Sequence, residues 1–165
     1  MLIYFDSEFT DLYDDVGPIK LISAGFVTFD SEEFYFELTD NYVKSDCSMF
    51  VEDEVLPHLN SAKHGMTSIA AAQSLKAWIE GLGFADLALA SDAPQYDFEL
   101  VKELLNKHDC WPKNLAKEGV DLKLAFKNVD IDFRMEEYFI YQPLAIRHHA
   151  MWDARALAKA CITTV

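Results

Sequence analysis

The sequence predicts an α/β fold, in which a mixed five-stranded sheet is flanked by helices within a single domain spanning residues 1–165. In the N-terminal part, short apolar or aromatic segments alternate with polar turns, and this pattern is typical of β-strands. Farther along, apolar residues recur every three or four positions, as they do on one face of a helix. A hydrophobic content of 51% in 165 residues is enough to form a substantial core.

Three antiparallel strands are predicted first. Residues 2–5 are apolar or aromatic without a polar break, so residues 1–8 are expected to form a strand that is buried on both faces. Residues 20–29 and 34–38 form the second and third strands, separated by a short polar turn at residues 30–32. Because short connections join antiparallel strands, the three strands are expected to be neighbours in the sheet.

Helices and parallel strands are predicted to alternate in the rest of the chain. Residues 67–82 form a helix that carries the chain to a fourth strand at residues 86–90. Such a crossover places the fourth strand parallel to the first. Residues 111–132 leave room for a short fifth strand. The other helices are expected at residues 50–59, 96–108, 135–141 and 150–161.

The net charge of −14 argues against a protein that binds duplex nucleic acid through its general surface, because such proteins are normally basic. The charge is also uneven. Residues 1–100 carry 4 basic and 19 acidic side chains, whereas residues 101–165 carry 10 and 9. Any contact with nucleic acid must therefore depend on bound metal, on the C-terminal part of the chain or on another subunit.

The three cysteines, Cys47, Cys110 and Cys161, are scattered and do not follow a metal-binding spacing. An odd, dispersed set favours a reduced, cytoplasmic protein over a disulfide framework. A metal pair formed by Cys110 and His108 is a weaker alternative. The N-terminal residues lack the basic region of a signal peptide, and the apolar runs are too short to span a membrane.

Two carboxylates at the end of the first strand indicate a metal site. Because side chains two positions apart in a strand point to the same face, Asp6 and Glu8 are expected to lie side by side. A buried strand that ends in two such carboxylates needs a neutralising partner, and hard cations such as Mg²⁺ favour carboxylate oxygens. The alternative is that the strand runs out into an acidic, solvated loop, since the chain holds 28 Asp and Glu residues.

The predicted last helix supplies a further carboxylate and a histidine. Asp153 lies beside an apolar stripe, and the small side chains of Ala150 and Ala154 allow this helix to pack closely on its neighbour. His148 lies at or just before the start of the helix. Asp97 occupies the first turn of its own predicted helix. Taken singly, Asp97 is explained by the helix dipole and His148 by an ordinary surface position.

Together, these segments resemble the three motifs of the DEDDh family of 3′–5′ exonucleases. The predicted order β-β-β-α-β-α-(β)-α is also that of an RNase H-like sheet. Residues 4–9 and 19–25 carry a closer resemblance to the RNase AS-like exoribonucleases, which trim adenylate-containing RNA 3′ ends. The sequence departs from that group at Phe9, where many members have Thr, and at Ala93, where many have Asn. The three motifs are Asp6-Ser7-Glu8, Asp97-Phe98 and His148-x-Ala150-x-x-Asp153-Ala154.

The resemblance implies a metal-dependent 3′–5′ exoribonuclease, which hydrolyses the 3′ end of single-stranded, adenylate-rich RNA to nucleoside 5′-monophosphates. It implies two Mg²⁺ ions, replaceable by Mn²⁺, and His148 as the general base that takes a proton from the attacking water. It also implies a homodimer, in which basic residues between 102 and 127 of a second subunit cover the acidic groove. The expected metal ligands are Asp6, Glu8, Asp97 and Asp153. The expected contacts to the terminal nucleotide are Ser7, Phe9, Thr10 and Leu12.

Alternatives remain open at this point. A 3′–5′ exodeoxyribonuclease of the proofreading type carries the same motifs, which do not separate DNA from RNA. A catalytically silent nucleic-acid-binding module on the same fold belongs to a different class, and a nuclease assay distinguishes it. Asp92 competes with Asp97 for the second motif, although Asp97 fits better because it begins an apolar helix. Asp11, Asp14 and Asp15 place negative charge near the terminal nucleotide, so a 3′-phosphate is expected to block the reaction.

Overall fold

The computed structural model describes residues 1–12 and 17–162. Its strands are β1 (Leu2–Phe9), β2 (Leu21–Thr28), β3 (Glu33–Leu38), β4 (Gly65–Met66), β5 (Ala88–Ser91) and β6 (Val120–Asp121). Its helices are α1 (Met49–Glu54), α2 (Ser61–His64), α3 (Ser68–Gly81), α4 (Pro94–Lys107), α5 (Leu122–Ala125), α6 (Ile131–Tyr141) and α7 (Ala150–Ile162).

The strands form one mixed sheet in the order β4-β3-β2-β1-β5-β6. Strands β1, β2 and β3 are antiparallel neighbours, whereas β5 is parallel to β1. The predicted α/β class, the antiparallel start and the parallel fourth strand are therefore confirmed. The prediction of five strands is corrected to six, because Gly65–Met66 pairs with the outer edge of β3. A strand of two residues is too short to show an alternating pattern in the sequence.

The helix predicted at residues 50–59 is shorter in the structure. Helix α1 ends at Glu54, and a separate 3₁₀ turn covers Leu56–His58. Pro57 explains the break, because proline disfavours a helical conformation at the preceding residue and provides no backbone N–H. Along residues 1–12 and 17–162, every helix is too short or too polar to cross a lipid bilayer.

Strand β1 is buried because helices pack on both faces of the sheet. Ile3 and Phe5 belong to the core that includes residues of α3 and α4. Tyr4 belongs to the core formed with α6 and α7. The alternation along β1 therefore directs Asp6 and Glu8 towards the face that α7 covers, and Ser7 towards the face that α4 covers.

Helix α7 lies close to the sheet at Gly25, which pairs with Asp6 in the antiparallel register of β1 and β2. A Cβ atom at Gly25 would lie 2.5 Å from Cα of Met151 and 2.6 Å from the carbonyl oxygen of Ala150. Both are backbone atoms, so neither can move aside without moving the helix. Ala150 and Ala154 are fully buried, as their small size predicts for a closely packed helix.

We expect Gly25→Ala to destabilise the fold by about 1–3 kcal/mol, the usual cost of overpacking a core. The added methyl group would collide with the backbone of α7. Equilibrium urea unfolding measures this change in the free energy of unfolding. Gly81→Ala is the matched control, because no atom lies within 4 Å of a Cβ built at Gly81. Equal stability of the two variants would show that the contact at Gly25 is not tight.

Candidate active site

The predicted carboxylates meet at the C-terminal end of β1. Asp6 and Glu8 lie there on the side covered by α7, and Asp153 lies in the first turn of α7. One carboxylate oxygen from each of these three residues lies within 4.8 Å of the others. The two-residue alternation in β1 and the position of Asp153 on α7 together produce this group.

A second group of three carboxylates shares Asp6 with the first. Asp92 follows β5, and Asp97 lies in the first turn of α4. Oxygens of Asp6, Asp92 and Asp97 again lie within 4.8 Å of one another. Because β5 is parallel to β1, the two strands end at the same edge of the sheet, which brings Asp92 to this position. In the sequence pattern Asp92 and Asp97 are alternatives for the second motif, whereas the structure places both carboxylates beside Asp6.

Burial and mutual repulsion make these carboxylates easier to protonate than usual. Desolvation raises the pKa of Asp6 well above its ordinary value, and the nearby charges of Asp97 and Asp153 raise it further. The pKa of Glu8 is raised well above its ordinary value by the same causes. Desolvation is also the largest cause for Asp97, whose pKa rises to about 7, and for Asp153, whose pKa rises to about 6.

Hydrogen bonds orient the carboxylates of Asp97 and Asp153, and an ion pair orients that of Asp92. The Ser7 hydroxyl donates to Oδ1 of Asp97 at 2.6 Å. The backbone N–H of residue 149 donates to Oδ2 of Asp153 at 3.0 Å. The Lys123 ammonium group lies 3.4 Å from Asp92 and 2.9 Å from Asp132. Sequence reasoning missed Lys123, because its link to Asp92 depends on the position of α5 after β6.

His148 lines the same cleft as the carboxylates, in a cavity of about 810 Å³. Its backbone has φ +55°, in the left-handed region that few residues other than glycine adopt. The imidazole meets the ring of Phe50 edge to face, with 4.9 Å between the ring centroids. Although His148 is exposed to the cleft, nearby protein atoms lower its pKa by desolvation.

The four residues predicted to contact the terminal nucleotide differ in their surroundings. Phe9 lines the cleft and stacks on Tyr96 with 5.9 Å between ring centroids, and Leu12 lines the cleft with 41% of its surface exposed. Ser7 also borders the cleft, but its hydroxyl is engaged with a carboxylate of the site.

Thr10 has structural contacts within the protein, and its contact with the terminal nucleotide stays a prediction. Its side chain is fully buried, and its hydroxyl accepts a hydrogen bond from the N–H of Lys20. Its carbonyl accepts the N–H of Ser48, just before α1. Asp14 and Asp15, predicted to add negative charge near the terminal nucleotide, lie outside the described residues.

Helix α1 supplies an apolar wall of the cleft that the sequence patterns did not predict. Met49 is 82% exposed and Phe50 is 54% exposed, and both line the cavity opposite the acidic strand end. Exposed apolar side chains beside a polar site are suited to contact a planar, hydrophobic ligand group. Two adjacent large apolar residues just before an acidic stretch were the one available sequence signal.

Arg147 and Arg155 both form ion pairs with acidic side chains of this protein. Arg155 makes a bidentate ion pair with Glu33, with both N–O distances at 2.7 Å, and stacks over the ring of Trp152. Arg147 pairs with Glu136. These contacts indicate a structural use of both guanidinium groups.

Comparisons with known proteins support the fold. No family model and no curated protein matches this sequence. Among solved structures, this chain is similar to ExoI of E. coli, in a zinc-bound crystal structure of its complex with single-stranded DNA. The identity is 13% and the TM-score is 0.55, with 95% of this chain covered. The chain spans only 38% of the length of ExoI. The likeness confirms the predicted RNase H-like fold.

The site has the composition expected of a centre for hard divalent cations. Its donors are carboxylate oxygens, which Mg²⁺ and Mn²⁺ favour over nitrogen or sulfur. Each of the two three-carboxylate groups is large enough to bind one ion, and Asp6 belongs to both. The raised pKa values show that the protein alone does not neutralise this charge. The residues therefore fit a site for hard divalent cations.

We expect the acidic cluster to destabilise the metal-free protein increasingly as the pH rises. Between pH 3.8 and about 7, the folded protein keeps a proton on Asp97 that the unfolded chain has released. The folded state therefore binds more protons, so its stability falls as the pH rises through this range. Bound Mg²⁺ or Mn²⁺ should reverse the loss, and increasingly so at higher pH, because deprotonated carboxylates are the ligands.

Thermal unfolding in EDTA and in Mg²⁺, at pH 5 and pH 7.5, measures this effect. Asp6→Asn is the comparison, because it removes the charge that both groups share. The variant should melt above the wild type at pH 7.5 in EDTA and should lose most of the stabilisation by metal. An identical response of the two proteins would show that the cluster neither carries this charge nor binds the ion.

Proposed function

We propose that this protein is a metal-dependent 3′–5′ exoribonuclease, which removes nucleoside 5′-monophosphates from the 3′ end of single-stranded RNA. The observation that carries the proposal is the shared carboxylate of Asp6, which lies in two three-carboxylate groups in the same cleft as His148. Hydrolysis of a phosphodiester by a two-metal mechanism uses two neighbouring cation sites, and a nearby proton acceptor can activate the attacking water.

Each carboxylate has a definite part in this proposal. Asp6, Glu8 and Asp153 would hold one ion, and Asp6 and Asp97 would hold the other, with Asp92 beside them. Divalent ions held by these carboxylates would supply electrostatic stabilisation of the attacking and leaving oxygens during hydrolysis of the phosphodiester. The bond from the Ser7 hydroxyl to Oδ1 of Asp97 orients this carboxylate in the cleft, as a hydrogen bond to a metal ligand commonly does.

His148 is proposed as the general base. Desolvation lowers its pKa, so the imidazole is neutral near pH 7 and can accept a proton from the attacking water. Its edge-to-face contact with Phe50 limits rotation of the ring. The left-handed backbone at this position is consistent with function, because strained conformations often occur at active sites.

The cleft suits the end of a single strand. The apolar wall formed by Met49 and Phe50, together with Phe9 and Leu12, offers surfaces on which one or two bases can stack. Each such stack contributes about 1–3 kcal/mol. The net charge of −14 disfavours long-range binding of phosphates, so affinity should come from the terminal nucleotides and the metal. The preference for RNA, and for adenylate, is supported by the resemblance to RNase AS-like enzymes.

A second candidate is a 3′–5′ exodeoxyribonuclease. It is favoured by the likeness to ExoI, whose structure contains single-stranded DNA. The same carboxylates and the same histidine would act on either polymer. The homodimer and the cytoplasmic location expected from the sequence stay predictions.

Digestion of 5′-labelled oligonucleotides tests the proposed function. We expect RNA with a free 3′-hydroxyl to shorten one nucleotide at a time in Mg²⁺ or Mn²⁺ and to remain intact in EDTA. A 3′-phosphate should block the reaction, because it adds charge close to Asp11, whereas a 5′-phosphate should have no effect. Faster shortening of a DNA strand of the same sequence would favour the second candidate. Cleavage of circular RNA would show an endonuclease and overturn the proposal.

Substitution of the proposed ligands tests the site. Each isosteric neutral variant should reduce turnover to near background at unchanged fold, because it removes a metal-binding charge. Loss of the general base should lower the rate by about 10²–10⁴-fold. The variants are Asp6→Asn, Glu8→Gln, Asp97→Asn, Asp153→Asn and, for the base, His148→Ala.

Glu99→Gln is the control for these substitutions. Glu99 is a surface residue of α4 paired with Lys102 at 3.0 Å, so its loss should leave turnover unchanged. Single-turnover rates with saturating Mg²⁺ compare all six variants. A ligand variant that keeps the wild-type rate would remove that residue from the metal site.

A further inference from the structure

The turn that leads into α7 carries one residue of the site, His148, and contacts a second, Asp153, although it is not part of a helix or strand. His148 adopts a left-handed backbone conformation, and the next backbone N–H, that of His149, donates to the carboxylate of Asp153. A shift of His149 would therefore move the proposed base and the proposed ligand together. The side chain of His149 must be held for both to keep their positions.

Tyr35 holds that side chain. The rings of Tyr35 and His149 are stacked, with 4.9 Å between centroids and an angle of 23° between their planes. Tyr35 pairs with Gly25 on the next strand, and Gly25 pairs with Asp6. The three residues form a row across β3, β2 and β1, and the start of α7 lies over its glycine. The side chain of His149 therefore extends beyond Gly25 and packs on Tyr35 of the neighbouring strand β3.

The carboxylate of Glu37 holds the hydroxyl end of Tyr35 through a hydrogen bond. The Glu37 side chain is almost fully buried at 1% exposure and accepts three hydrogen bonds. The donors are the Tyr35 hydroxyl at 3.1 Å, the Asn60 N–H at 2.8 Å and the Ser61 hydroxyl at 2.8 Å. A buried carboxylate with three donors is rigidly placed. Burial and the adjacent Glu37 raise the pKa of Tyr35, so its hydroxyl remains a donor.

We propose that Tyr35, fixed by Glu37, is a positioning residue that clamps the ring of His149 and so sets the places of His148 and Asp153. This inference rests on the proposed function. In this proposal the ring of His149 acts as a flat aromatic surface that stacks on Tyr35, and it does not act as an acid or a base.

The substitutions separate stacking from imidazole chemistry. His149→Phe keeps a flat aromatic surface and loses both ring nitrogens, whereas His149→Ala loses that surface. Tyr35→Phe keeps the stack and loses the bond to Glu37, whereas Tyr35→Leu loses both. Tyr141→Leu is the matched control, because Tyr141 is 75% exposed at the end of α6 and remote from this stack.

We expect kcat to fall about ten-fold in His149→Ala and Tyr35→Leu, with KM nearly unchanged, since misplaced catalytic groups slow the chemical step. His149→Phe should restore kcat to within about three-fold of the wild type, and Tyr35→Phe should lie between the wild type and Tyr35→Leu. Loss of activity in His149→Phe equal to that in His149→Ala would show that a ring nitrogen is required and would overturn the clamp. Wild-type kcat in His149→Ala would also overturn it.

Amide hydrogen exchange of the metal-free protein provides a readout that is independent of activity. The amide of residue 149 donates to Asp153, so it should exchange faster in Tyr35→Leu and His149→Ala and remain protected in His149→Phe. Global melting temperatures identify any variant that is simply unfolded. An inactive wild type would contradict the proposed function but leave this exchange pattern as a test of the clamp. Unchanged protection in Tyr35→Leu would contradict the clamp alone.

Discussion

The contact between the first turn of α7 and β2 is the constraint on which the site depends. Gly25 has no side chain, so the backbone of Ala150 and Met151 lies directly on the sheet. A helix that rests on a strand through backbone atoms cannot rotate or slide without a clash, because protein interiors are close-packed. The carboxylate of Asp153 is thereby held beside Asp6, although the two residues come from distant parts of the chain.

The rest of the fold offsets an unfavourable charge distribution at that contact. Several partly or fully buried carboxylates lie next to one another, and their raised pKa values reflect how unfavourable it is to keep them all charged there. Apolar side chains on both faces of β1, such as Phe5 on one side and Tyr4 on the other, stabilise the strand that carries them. Such a conflict between local electrostatics and stability is expected where a protein is organised for function.

Sequence patterns predicted those parts of the site that follow from local geometry. The two-residue repeat of a strand places Asp6 and Glu8 together. Asp92 and Lys123 were not assigned to the site, because their positions depend on how β5, β6 and α5 pack at one edge of the sheet. The apolar wall containing Phe50 was missed for a similar reason: a helix of six residues has no periodicity that shows which side meets the cleft.

The order of the elements along the chain has a consequence for biosynthesis. The strand that carries Asp6 emerges from the ribosome early, whereas the helix that carries Asp153 emerges late. Contacts between distant segments form only after the intervening chain is available, and domains fold as units during synthesis. A nascent chain without α7 lacks Asp153, so the group formed by Asp6, Glu8 and Asp153 is complete only when translation of α7 is finished.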